Sequence, residues 1–340
     1  MNAKRRKTSS RTNRLPLIIA AVALVAAAAL AAYALLNRPE PASAVASASA
    51  PPAKAGPAKP SADARQKGSD PIGALIGDLP EGAAAGKALS EGPEGAPAWK
   101  RYASAAVSVP AGKPVIALVI DDVGLSKEKA DEVIALPGPV TLSFLPYGDG
   151  VQALVDDARR AGHEVMLHLP MEPLSRKEDP GPDALTTELS DAVLQDRIAK
   201  NMDKIHGYVG FNNHMGSRFT ADRTGMDAVM AAAHRRGLMF LDSRTTAKTL
   251  GAATAARYGV PAVQRDVFLD NVQDVAAVHA QLEKAVALAR EKGRAVVIGH
   301  PHPTTIAALK SWIPSLRGVT LVPITAVLEP GQAGQAVASH

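Results

Sequence analysis

Between residues 113 and 328, short apolar runs alternate with amphipathic helical stretches, and this limits the chain more than any other feature it has. Residues 115–120, 140–144, 164–168, 208–211, 238–241, 262–264, 295–298 and 319–322 read as strands. Residues 127–135, 150–161, 191–206, 224–236, 247–258, 275–292 and 304–312 read as helices between them. In the sixth of these, Val275, Val278, Leu282, Ala285, Val286 and Ala289 share one face, and Asp274 stands where an N-cap belongs. Gly162, Gly237 and Gly293 each follow a helix and precede a strand, the place for a left-handed C-cap. Parallel neighbours need long crossovers, so strand–helix alternation over about 210 residues implies a parallel sheet, open or closed into a barrel.

The flanks are of another kind. Residues 1–14 hold six Lys and Arg and no acid, which leaves the rest of a +5 chain at −1. The positive balance therefore belongs to the tail, and no nucleic-acid role follows from it. Residues 15–36 run 22 positions without a charge, long enough to span a bilayer as one helix, or else to serve as a long signal sequence. In either case the basic tail stays cytoplasmic and the remainder crosses the inner membrane, giving a periplasmic domain on a single-pass anchor, or a secreted one after cleavage. Residues 37–112 are rich in Ala, Pro and Gly and read as a flexible linker with a marginal helix near its end, and 329–340 read as a tail. The chain has no cysteine, which excludes disulfides and thiol catalysis.

Chemistry-bearing side chains gather at one place in these units. Asp121 and Asp122 follow the first strand, His168 ends the third, and Asn212, Asn213 and His214 follow the fourth. Asp242 follows the fifth, and His300 and His302 follow the 295–298 run. In parallel α/β folds that edge is where ligands bind. Each residue alone has an ordinary explanation: an N-cap for Asp121, Asp122 or Asp242, a turn for Asn212 and Asn213, a hydrogen-bonded rim position for a single histidine. Together they form a set of imidazoles and carboxylates suited to a divalent metal, zinc above all, with Mn, Fe, Co or Ni accepting the same donors. His163 lies at the opposite end of its strand and reads as structural.

These residues, in this order, resemble the divergent polysaccharide deacetylase family, a relative of the NodB-homology carbohydrate esterases. IDDVG matches a motif whose first Asp is a base and whose second binds metal, which implies those roles for Asp121 and Asp122. AGHEVMLHLPME supplies His168 as a ligand but has Glu172 where the wider superfamily places a second histidine. NNHMGSRFT then offers His214 as the third ligand, with Asn213 and Arg218 as neighbours. GHPHP stands where relatives keep the general acid, here His300 or else His302, with Asp242 of LDSRTT to orient it. RDVFLDN, which contains Asp270, matches a further family segment of no derived role.

The resemblance implies a distorted (β/α) barrel of about seven parallel strands and a metal-dependent hydrolase that removes acetyl groups from an envelope polysaccharide such as peptidoglycan. The other reading is a domain that keeps the fold and binds glycans without turnover. Aromatic residues are 4% of the chain, so Tyr147 and Trp312 are the main candidates for stacking on a sugar. Protein partners are not legible.

Overall fold

A computed structural model describes residues 93–104 and 112–328. The expected anchor at 15–36, most of the linker and the tail at 329–340 lie outside the described residues. Among the described residues, no helix is long and apolar enough to cross a membrane.

The elements in chain order are α1 (Ala98–Arg101), β1 (Val115–Val123), α2 (Lys127–Ile134), β2 (Thr141–Phe144), α3 (Val151–Arg160) and β3 (Glu164–Met171). They continue with α4 (Asp191–Met202), β4 (Gly210–Met215), a 3-10 turn (Phe219–Ala221), α5 (Arg223–Arg236), β5 (Met239–Asp242), α6 (Gly251–Arg257) and β6 (Ala262–Gln264). The last are β7 (Val267–Phe268), α7 (Val275–Lys292), β8 (Arg294–Gly299), α8 (Pro303–Ser315), β9 (Thr320–Val322) and a 3-10 turn (Ile324–Val327). Local chemistry sets the ends of several helices as the residue types require. Asp274 Oδ1 accepts the Ala277 N–H at 3.0 Å, and Gly237 and Gly293 close α5 and α7 at φ 62° and 83°.

Every strand pairing is parallel, in the order β6-β5-β4-β3-β2-β1-β8-β7, with β9 paired to the start of β1. The sheet thus has nine strands, eight in one continuous path, where the sequence suggested about seven. β7, only two residues long, carries too little pattern to be read from sequence. β6 and β7 are the two ends of this path, yet only residues 265 and 266 separate them in the chain. Three Cα–Cα steps span about 11 Å at most, so the sheet has to curl until its edges nearly meet. No β6–β7 ladder forms, and the result is a curled barrel open along one seam.

Side-chain alternation divides the core into two parts. Ile116, Leu118 and Ile120 of β1 pack outward with helix residues such as Val133, Val155 and Val286, while Ala117 and Val119 point inward with Met166, Met239, Leu241, Val296 and Ile298. Trp99 of α1 is buried in this inner cluster, and its backbone N–H donates to the Gly237 carbonyl at 3.0 Å. The packed structure therefore takes in residues that composition assigned to the linker, because one large aromatic ring fills the bottom of the barrel.

Candidate active site

The inner face of the barrel changes character toward the C-terminal ends of its strands. Along β1 it runs Ala117, Val119, Asp121; along β3, Met166, His168; along β8, Val296, Ile298, with His300 just past its end. Ser143, Asn212, His214 and Ser243 join the same face from β2, β4 and the end of β5. Counting by twos from the inner apolar residues returns Asp121, His168, Ser243 and His300, while on β4 Asn212 and His214 alternate with Phe211, which packs outward.

Asp122 breaks the count. Its φ is 56°, and the β1–β2 register shifts between Ile120 and Val123, so a kink turns an otherwise outward residue toward the site. Asp122 Oδ1 lies 3.2 Å from His168 Nε2 and 2.8 Å from His214 Nδ1. The two imidazoles come from neighbouring strands: His168 pairs with Asn212, and His214 is two residues further on the same face, with ring centroids 4.9 Å apart. One donor atom from each of the three lies within 4.8 Å of the others.

This set fits a divalent cation. Asp122 Oδ1 is buried with the ring nitrogens of His168 and His214 close by, yet neither makes a well-aligned hydrogen bond to it, and a cation shared by the three groups would satisfy all of them. Negative charge accumulates there. Burial opposes the charged form of His168, but Asp121 and Asp122 outweigh it and raise its pKa. Burial likewise raises Asp122, and the imidazoles of His168 and His214 reverse this and hold it well below the usual carboxylate range. Asp121 is more deeply enclosed, and burial keeps it above that range against His168, His300 and Asn212.

Asn212 links these groups. Its Nδ2 donates to both Asp121 oxygens, at 2.8 and 2.9 Å, and to Ser243 Oγ at 3.1 Å. Its Oδ1 accepts from Ser143 Oγ at 2.6 Å and from His168 Nδ1 at 2.9 Å. The amide orientation demanded by Asp121 thereby places the His168 proton on Nδ1 and directs Nε2 at Asp122.

His300 stands across from this group, its Nε2 3.9 Å from Asp122 Oδ2. Its Nδ1 donates to Asp270 Oδ1 at 3.0 Å, while Asp270 Oδ2 accepts from the His300 N–H at 2.6 Å and from Thr305 Oγ1 at 2.8 Å. Burial opposes charge on His300, but the Asp270 hydrogen bond, with Asp121 and Asp122 behind it, pushes its pKa up to about 9. One donor atom each of His302, Asp270 and His300 lies within 4.8 Å of the others, but His302 Nε2 meets Gln273 at 3.3 Å.

Several expected placements differ in the structure. The carboxylate on His300 is Asp270. Asp242 instead accepts from the Arg244 N–H and Thr249 Oγ1, each at 2.8 Å, because residues 239 and 241 face inward and turn it toward the helices. Glu172 lies past the end of β3, its Oε2 taken by the Thr187 N–H and Oγ1 at 2.8 Å and its Oε1 3.3 Å from Arg218 Nε, outside the group around Asp122. Asn213 Oδ1 accepts the Ser243 N–H at 3.0 Å and ties the ends of β4 and β5 together. Trp312 is buried in the core beneath α8, so it offers no sugar-stacking face. The N-cap explanation for Asp121 and Asp122 also lapses, since both lie within β1 and Ser126 caps α2 by accepting the Lys129 N–H. His163 sits at the far edge as expected, donating from Nε2 to the Ile134 carbonyl at 2.8 Å and accepting the Val140 N–H at 3.3 Å.

Four non-glycine residues have positive φ among the described residues: Asp122, Asp183, Met215 and Arg244. Three of them lie on this edge, a concentration of strain typical of functional sites.

The model of one family, divergent polysaccharide deacetylase, matches residues 118–328. The chain belongs to that family. The uncharacterized protein YibQ of Escherichia coli is 37% identical over 225 residues, covering 66% of this chain and 70% of YibQ. An uncharacterized Haemophilus influenzae protein is 36% identical over 203 residues, covering 59% of this chain and 71% of its own length. The crystal structure of the uncharacterized Agrobacterium tumefaciens protein ATU2773 superposes with a TM-score of 0.66 at 31% identity, covering 72% of this chain and all of that one.

Proposed function

We propose that this protein is a metal-dependent hydrolase that removes acetyl groups from an envelope polysaccharide of the peptidoglycan kind. The observation that supports this most is the convergence of Asp122, His168 and His214 on one point, with Asp121 on one side and His300 on the other. Those three residues would hold the metal, zinc or another divalent ion of the same ligand preference. Such an ion, when bound, supplies Lewis acidity to the acetyl carbonyl and lowers the pKa of water.

The remaining steps belong to the chain. Asp121, held by the Asn212 amide, accepts the proton of the water that attacks the acetyl carbon. His300 has Nδ1 committed to Asp270, so its Nε2 proton is the one that passes to the leaving nitrogen or oxygen as the C–N or C–O bond breaks. Acetate and a free amine or hydroxyl result. The basic tail and the apolar run at 15–36 support membrane attachment with this domain outside the cytoplasm.

The test is acetate release from peptidoglycan and from N-acetylglucosamine oligomers by the zinc-loaded protein. We expect release by the wild type and a loss of roughly 10²–10⁴-fold in Asp121→Asn, with zinc still bound. Zinc binding without acetate release would identify a glycan-binding domain instead.

A further inference from the structure

We propose that the mouth of the barrel rests on a lipid bilayer, so that the site works on glycan held at the membrane surface. The inference rests on the membrane attachment and the deacetylase reading proposed above, and adds where the substrate is met.

Among the described residues, five large aliphatic side chains are exposed: Leu125 at 62%, Val272 at 61%, Leu174 at 58%, Val193 at 43% and Val275 at 37%. One exposed leucine carries no information, because much of any protein surface is apolar. The placement of all five does. Leu125, Leu174 and Val272 follow β1, β3 and β7, and Val193 and Val275 lie in the first turns of α4 and α7, the helices after β3 and β7. In a parallel sheet the strand ends and the starts of the following helices share one edge, here the edge that carries Asp122, His168 and His300. The strand order narrows the set further. β3-β2-β1-β8-β7 is one unbroken arc of the barrel, and the loops after β4, β5 and β6 contribute none of the five.

Fixed backbone presents these side chains. The Leu174 N–H donates to Ser217 Oγ at 2.8 Å, which ties the loop after β3 to the loop after β4, and Val272 and Val275 flank Asp274, the cap of α7. Leu125 also borders a cavity of about 210 Å³ lined by Val123, Ala130 and Pro301 together with Asp122 and His300, so the apolar rim reaches the site itself. A protein partner needs a contiguous apolar patch of matching shape. Separate aliphatic side chains with polar residues between them suit a bilayer, which admits each one without a shape match. The chain also supplies the reach. Residues 37–92, read above as a flexible linker, span about 40 Å as a coil, against a radius of gyration of about 17 Å for a domain of this size. A few aliphatic side chains hold a protein on lipid only marginally, and the apolar run at 15–36 provides the second attachment that stable seating takes.

The chain has no cysteine, so a single introduced one reports its own position. Leu125→Cys, Leu174→Cys, Val272→Cys and, at the far end of α7, Glu291→Cys would each carry a nitrobenzoxadiazole dye on the full-length protein reconstituted in phosphatidylcholine vesicles. We expect the dyes at 125, 174 and 272 to emit as in an apolar medium and to be quenched by lipids with a nitroxide about 5–10 Å deep, at low and high salt alike, while the dye at 291 stays in water. Leu174→Asp combined with Val272→Asp should return the dye at 125 to water. Mouth dyes that respond no more than the one at 291, protein that does not float with the vesicles, or a response that grows with protein density and so reports contact between copies would each overturn the proposal. Acetate release separates the two ideas. N-acetylglucosamine oligomers coupled to phosphatidylethanolamine in the same vesicles should react about tenfold faster than free oligomers, and equal release from both would also overturn the proposal. Quenched mouth dyes without release from either refute the hydrolase and leave the rim standing.

Discussion

At the scale of single residues, Asn212 has the most to explain. Its amide uses all its hydrogen-bonding capacity on four side chains: Asp121, His168, Ser143 and Ser243. In the sequence it looks like a turn former, because Asn-Asn after an apolar run is the usual signature of one. It becomes visible only when β4 is seen to continue through Met215 and its inner face is counted by twos. The same count returns Asp121, His168 and His300 and excludes Asp242, whereas Asp122 is recoverable only from the motif, since a left-handed kink reverses its side. Asn212→Leu leaves Asp121 and His168 without their shared partner. Zinc affinity should then fall roughly 10–100-fold by calorimetry, and an unchanged affinity would mean that His168 is oriented without it.

At the scale of elements, every strand of three or more residues was legible from apolar runs bounded by glycine and polar clusters, and every helix between the strands from its periodicity. The ends were not. β1, β3 and β4 each run several residues past their apolar run, because the parallel register continues through the edge, with His168 opposite Asn212 and Pro170 opposite His214. That register decides the third metal donor. His214 lies diagonally from His168 on one face, whereas Glu172 falls beyond β3 and holds the following loop through Thr187, with Arg218 at 3.3 Å. Such a pairing across 46 positions leaves no local trace in sequence. Glu172→Gln should therefore keep zinc affinity within about twofold of wild type; a loss as large as that of a ligand variant would return Glu172 to the metal.

At the scale of the whole molecule, the barrel is fastened at the end away from the site. Glu164, fully buried at the start of β3, accepts from the Ser104 N–H at 3.2 Å, Thr325 Oγ1 at 2.6 Å and the Thr325 N–H at 3.0 Å. It thereby joins the segment that carries Trp99, the third strand and the C-terminal turn. Burial pushes its pKa up to about 7, against those donors. A carboxyl raised in the folded state binds more protons than in the unfolded chain between its two pKa values. Its contribution to stability is therefore complete below the unfolded value and falls as pH rises through the folded one. Between about pH 4.5 and 7 the wild type should lose on the order of 3 kcal/mol relative to Glu164→Gln, read from urea midpoints of both proteins. Parallel curves would place the Glu164 titration elsewhere.

A cation site built from β1, β3 and β4 is central to the proposed activity, and equilibrium zinc binding to the full-length protein tests it most directly. We expect about one zinc per chain in the wild type, no stoichiometric zinc in His168→Ala or His214→Ala, and retained zinc in Asp121→Asn. A wild type that binds none, or a His214→Ala protein that binds as the wild type does, would contradict it.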